Sequence, residues 1–360
     1  MSRIVGYDLA RAIAIFGMVL VNFKVVMGAS SAGPDWLVTL SGWVDGRAAA
    51  IFVTLAGIGV SLIAGAPGIG AAADRTARAR RLLSRRAMFL LVVGLCLVPV
   101  WPADILHFYG VYIGLALCVL GAPTRRLLTL ALGLTMGFML LLLLFDYERG
   151  WDWSTLEYSG FWTPGGMLRH ILFNGFHPVI PWLAFLLVGM AVGRQDLRQK
   201  SVRKRVFWTG ASIAALAEAA SRALSATLTR PGDPARIELV EALFGVAPMP
   251  PTLLYMFAAG GTACAMIAIC VGLGERWHGT RWMKSLVSTG QLALTLYVAH
   301  VILGMGVLEA LGRLEQQTLP FSLTAAAIFC VLSVVFASIW RTRFARGPLE
   351  AAMRALTDLR

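Results

Sequence analysis

The sequence predicts an all-α integral membrane bundle of about ten transmembrane helices with both termini in the cytoplasm, and three observations carry that prediction. Hydrophobic residues make up 58% of the chain and charged residues only 14%, where a soluble domain has about 25% charged. The apolar residues fall in runs of about 17–25, long enough to cross a hydrocarbon core of roughly 30 Å. The third observation is where the charge lies. With the N terminus in the cytoplasm, the segments on that side hold 23 Lys and Arg against 5 Asp and Glu, and the opposite loops hold 7 against 12. This is the positive-inside pattern. It accounts for the net charge of +13 without a nucleic-acid partner, so the clusters RTARARRLLSRR (75–86) and RQKSVRKR (198–205) mark topology and the partner is the lipid bilayer. Alternating strands of a membrane barrel are absent. Two regions follow: a bundle over 1–340 and a basic, amphipathic cytoplasmic tail over 341–360.

The first span, 5–27, contains YDLARAIAIFGMVLVNF (7–23). Asp8 and Arg11 are three residues apart and share a helix face, so they pair. Asn22 lies fourteen residues further on, roughly 21 Å along the axis. Polar groups inside a membrane point to function. VMGASSAG (26–33) resembles a cleavage site, but a disposable leader has no need of Asp8, Arg11, Asn22 and Lys24, so the span is expected to be retained. The second span, 47–66, follows an outer segment (28–46) bearing Trp36, Trp43, Asp35 and Asp45. Spans at 87–103 and 106–122 flank WPADILHFYGVY (101–112), where Asp104 and His107 have the spacing of a carboxylate that orients an imidazole base.

A fifth span, 127–145, leads to an aromatic outer segment (146–177) containing His170 and His177. The sixth, 178–194, opens with Pro178 and Pro181, tolerated in a first turn. Glu218 and Arg222 make a favourable i, i+4 pair in the seventh, 206–226. The eighth, 250–274, contains AAGGTA (258–263). The ninth, 284–308, contains GQLALTLYVAH (290–300), with Gln291, Thr295, Tyr297 and His300 in an apolar helix. The tenth is 320–340, and the tail after it is expected to lie along the inner membrane surface. Cys96, Cys118, Cys264, Cys270 and Cys330 all fall inside spans without CxxC pairing, so no disulfide or metal site is expected. No Walker sequence or soluble domain is present. The outer aromatics suit either an interfacial belt or a platform for a sugar or lipid headgroup. The polar groups suit an enzyme or a transporter lining a path, although no paired interruption in two halves supports the latter.

These stretches also resemble a family. YDLARAIAIFGMVLVNF is similar to the opening Asp-x-x-Arg-Gly … Val-Asn span of the transmembrane acyltransferase superfamily, which includes heparan-alpha-glucosaminide N-acetyltransferase; Ala12 stands where the family often has Gly. GWVDGRAAAIFVTLAGIGVSL (42–62) resembles its next segment. DILHFYGVYIGLAL, HPVIPWLAFLLVGMAVGR, LTLYVAH and RFARGPLEAAMRALT resemble the YeiB-like bacterial branch. The resemblance implies an inner-membrane enzyme that moves an acyl group, usually acetyl, from cytoplasmic acyl-CoA (acetyl-CoA) to an extracytoplasmic sugar, glycan or similar small acceptor. Asn22 matches the family's active-site position. Relatives carry a catalytic His in the first outer loop, but residues 24–46 contain none. The base then comes from His107 with Asp104, or from His300 or His177. Asp8, Arg11 and Tyr297 would serve acyl-CoA, and Trp43, Asp45 and Arg47 the acceptor. Direct transfer and an acyl-His intermediate both fit, and a homodimer is compatible with the pattern.

Overall fold

The structure is a computed structural model that describes residues 3–65, 72–230 and 232–358. Part of the basic 66–86 connection, residues 66–71, therefore lies outside the described residues. The chain is helical nearly throughout. In order the helices are α1 (Val5–Val26), α2 (Asp35–Gly42), α3 (Arg47–Ala64), α4 (Ala72–Leu97), α5 (Leu106–Ala116), α6 (Thr124–Leu144), α7 (Pro164–Arg169) and α8 (Val179–Gly193). There follow α9 (Lys200–Leu228), α10 (Pro234–Phe244), α11 (Leu253–Trp277), α12 (Arg281–Gln291), α13 (Ala293–Ala299), α14 (Gly306–Ala310), α15 (Leu319–Arg343) and α16 (Pro348–Thr357). Among the described residues the β-structure is one antiparallel pair, Trp151–Asp152 with Glu157–Tyr158.

Six described segments are long and apolar enough to cross a membrane: Val5–Val26, Asp35–Ala64, Thr124–Leu144, Leu253–Trp277, Ala293–Ala310 and Leu319–Arg343. A seventh is added if Pro164–Asn174 and Val179–Gly193, bent by 52°, form one broken span. The remaining expected spans also fall on helices. Those in α4 and α9 sit behind basic first halves, and the one beginning at Leu106 is short. Leu140, Leu143 and Leu144 on α6, and Val331, Leu332 and Ile339 on α15, face outward, as lipid-facing helices require.

Helix α1 runs through the middle of the bundle and packs against α3, α11, α12, α13 and α15. Two glycines allow the close approaches that matter for the site. A Cβ on Gly290 would stand 1.8 Å from the Asp8 carbonyl oxygen, so glycine lets α12 cross α1 there. A Cβ on Gly94 would stand 2.1 Å from the backbone nitrogen of His107, so glycine lets α4 meet the start of α5.

One expectation changes. The ninth span is not one continuous helix: it breaks at Leu292 (φ −105°, ψ 22°), and α13 starts afresh. The tail is anchored at this break. Residues of α16 reach into the bundle, where the Glu350 carboxylate accepts the backbone N–H groups of Leu294 (2.8 Å) and Thr295 (3.1 Å). The break is sustained because these N–H groups, orphaned at a helix start, find a partner outside their own helix.

Candidate functional site

At the end of the bundle where α1 begins, Asp8 is 1% exposed yet surrounded by donors. Its carboxylate accepts from Arg3 Nε (2.6 Å) and Nη2 (2.9 Å), from Arg11 Nη1 (2.6 Å) and from Gln291 Nε2 (3.3 Å). The Asp8–Arg11 pair is the one the three-residue spacing predicts. A cavity of about 290 Å³ opens beside it, lined by Arg3, Arg11, Arg86, Gln291, Glu350 and Tyr297. It thus combines a basic side with a largely apolar interior.

Tyr297 is fixed from the other side by α5. Its hydroxyl accepts the backbone N–H of Ile105 (3.0 Å) and donates to Asp104 Oδ1 (3.2 Å). Asp104 Oδ2 accepts both the backbone N–H (3.1 Å) and the ring Nδ1 (2.9 Å) of His107. The local cause is helix capping: a carboxylate just before a helix satisfies a free N–H of the first turn, and here the same residue also offers its ring. With Asp104 accepting, Nδ1 carries a proton. Asp104 and His107 are both fully buried, and His107 Nε2 has no partner among the described residues. The rings of Phe108 (4.0 Å between centroids) and His170 (5.8 Å) enclose it.

Toward the other end of α1, Asn22 Nδ2 lies 2.8 Å from His300 Nε2. The His300 Nδ1 is engaged by the Tyr297 carbonyl, an acceptor, so Nδ1 bears the proton and Nε2 receives the Asn22 amide hydrogen. His300 begins a π-helical stretch, His300–Met305, and His170 begins another, His170–Asn174. Such widened turns are frequent at functional sites. A second cavity, about 50 Å³, is lined by Asn22, Gly46, Ile105, His177 and again Tyr297. Tyr297 therefore borders both spaces. The His177 carbonyl accepts the Tyr112 hydroxyl (2.5 Å), and its Nδ1 lacks a partner among the described residues.

The structure thus brings together Asn22, Asp104, His107, His177, Tyr297 and His300, with Arg11, paired to Asp8, lining the larger cavity. It does not bring in the proposed acceptor residues equally. Asp45 is held in an ion pair with Lys24 Nζ (2.7 and 2.8 Å), and Lys24 is 2% exposed. Arg47 pairs with Glu218, which replaces the expected Glu218–Arg222 pair: Arg222 points outward, and the partner from α3 lies inside the bundle. Trp43 is 65% exposed and lines neither cavity. Among the described residues, no cluster of His, Cys, Asp and Glu has metal-binding geometry.

Sequence reasoning undervalued His170, Asn174 and Glu350. His170 is buried against His107 and Phe108. The Asn174 side chain ties the aromatic segment together, accepting from the Tyr158 hydroxyl (2.8 Å) and donating to the carbonyls of Tyr147 and Arg149 (both 2.9 Å). The signal available for these residues was a polar side chain beside an apolar run, which has no partner until the fold supplies one.

The model of the heparan-alpha-glucosaminide N-acetyltransferase catalytic family matches residues 3–225, and that of a family of proteins of unknown function, DUF418, matches residues 191–360. No curated protein matches the chain. The first match contains Asp8, Asn22, Asp104, His107 and His177, whereas Tyr297, His300 and Glu350 fall in the second.

Proposed function

Because the chain belongs to the heparan-alpha-glucosaminide N-acetyltransferase catalytic family, we propose that it is a multi-pass enzyme of the bacterial inner membrane. It takes an acyl group, acetyl in the first instance, from cytoplasmic acyl-CoA and delivers it to a sugar, glycan or similar acceptor on the far side. The observation that supports this most directly is Tyr297, which borders two cavities lined by opposite halves of α1, one by Arg11 and the other by Asn22. Transfer across a membrane needs such a partition: a donor and an acceptor that meet at one point without a continuous leak.

In this reading the chain crosses the membrane ten times, on the helices that begin at Val5, Arg47, Ala72, Leu106, Thr124, Val179, Lys200, Leu253, Ala293 and Leu319. Both termini are cytoplasmic, as the positive-inside pattern asks. The larger cavity then faces the cytoplasm. Its volume, about 290 Å³, is at the small end for ligand pockets. It suits a slender pantetheine arm, with the nucleotide phosphates left at the mouth near Arg3, Arg11 and Arg86.

The thioester would end near Tyr297. His300 is taken as the base: its Nε2 lone pair, which accepts the Asn22 amide hydrogen at rest, comes free for the acceptor's proton when Asn22 turns away from it. The acceptor N–H or O–H gives its proton to His300 Nε2 as its heteroatom attacks the thioester carbon. The C–S bond breaks and the proton passes to the departing thiolate. The Nδ1–H bond to the Tyr297 carbonyl stabilises the imidazolium. Asn22 turns its amide hydrogen to the developing oxyanion, a role in which one donor is worth about 10²–10³ in rate. Asp104, itself held by His107, accepts the Tyr297 hydroxyl and fixes it between the two cavities. His300 thereby takes the place of the first-loop histidine this chain lacks.

Purified protein in proteoliposomes tests the reading, with acetyl-CoA on one side, amino sugars or glycan fragments on the other, and CoA release followed by thiol detection. Release that depends on the acceptor supports it. Absence of acyl-CoA binding by calorimetry, together with no CoA release for any envelope acceptor, overturns it. Solute uptake without CoA turnover would establish a transporter, the reading favoured by the 52° break before Val179.

A further inference from the structure

We propose that Glu350 is a positioning residue: acting through α13, it sets where Tyr297 and His300 stand, although it touches no reacting atom. The inference rests on the acyltransferase reading and extends it to the C-terminal helix.

The helical span Ala293–Ala310 starts at the Leu292 break without a side-chain cap of its own. Its first free N–H groups, Leu294 and Thr295, both donate to Glu350 Oε1 (2.8 and 3.1 Å). The Thr295 hydroxyl donates to Glu350 Oε2 (2.5 Å) and accepts the Leu349 N–H (3.1 Å). These four hydrogen bonds clamp the turn that immediately precedes Tyr297. Beyond it, the Tyr297 hydroxyl bonds and the Asn22–His300 bond lie between 2.8 and 3.2 Å. A slide of about 1 Å along the helix would break them, and a misplacement of that size can cost about 10²-fold in rate. Glu350 and Met353 also wall the cavity that Tyr297 closes. The tail has attachments that do not use Glu350, including Trp340 Nε1 to the Arg346 carbonyl (2.8 Å) and the Arg86–Asp358 pair (4.0 Å). Losing the carboxylate should therefore release α13 without detaching α16.

The full-length protein is compared as wild type, Glu350→Ala and Glu350→Gln. Glutamine keeps an oxygen for the two N–H groups and an amide hydrogen for Thr295 Oγ1. In Glu350→Ala, kcat should fall about 10–100-fold, and hydrogen exchange should quicken over residues 293–305. Glu350→Gln should restore most of both. A wild-type kcat in Glu350→Ala, an exchange change confined to residues 348–357, or glutamine no better than alanine would overturn the proposal. If Glu350→Ala does not fold, Glu350→Asp, one methylene short, is read by the same criteria. If the wild type transfers no acyl group, the acyltransferase reading fails by itself. The positional claim is then decided by exchange: faster over 293–305 in the alanine variant but not the glutamine variant upholds it, and unchanged exchange overturns it.

Discussion

His300 has both ring nitrogens committed to different partners, one to its own helix and one to Asn22 on α1. Such a ring is held in one tautomer, which a general base requires. Asn22→Ala should therefore lower transfer by about 10²–10³-fold while the thermal unfolding curve stays near wild type, and His300→Ala should lower it at least as far; steady-state CoA release measures both. Lys24 raises a question of stability instead. Its ammonium is buried with Asp45 as its hydrogen-bond partner, and stranding a buried charge costs about 3–5 kcal/mol. Since Asp45 retains some exposure, Asp45→Asn should fall at the low end of that range. A Lys24→Met, Asp45→Asn double variant should recover much of the loss in detergent melts. At this scale the sequence discloses pairs within one turn, such as Asp8 with Arg11 and Asp104 with His107, because helix geometry alone brings them together. Asn22 with His300, 278 residues apart, carries no such local signature.

Helices meet where small residues permit, and the site depends on two such meetings. Gly94→Ala would drive a methyl group into the backbone of His107, displacing the start of α5 and with it Asp104. Overpacking of this kind costs about 1–3 kcal/mol, so both the melting temperature and transfer should fall. Gly133→Ala on α6, whose new Cβ meets nothing within 4 Å, should leave both unchanged or raise stability slightly. The helices themselves are legible in the sequence because apolar runs are a property of a dozen or more consecutive residues. Their interruptions are not. The break at Leu292 and the widened turns at His170 and His300 follow from what packs alongside, and a hydropathy window averages across them.

Across the whole molecule, the charge asymmetry predicts which end of the bundle faces the cytoplasm, and under the proposed function that end is where acyl-CoA would arrive. In a cysteine-free background, Glu238→Cys should react with a membrane-impermeant maleimide in intact spheroplasts, and Ser201→Cys only after disruption. The reverse labelling would place the arginine-lined cavity on the outer side. The sequence by itself determined the membrane class, the helical segments, their expected orientation and the family. All of these rest on local composition and on motifs read in order, because a bilayer selects apolar length and charge position whatever the helices later touch. Tertiary structure alone decided that Asn22 meets His300, that Asp104 also holds Tyr297, that Lys24 is buried on Asp45, and that Glu350 from the tail caps the helix leading to Tyr297. Each is a contact between residues more than one helical turn apart, brought together by the fold. Such contacts follow from the packing of the bundle, which no single segment encodes.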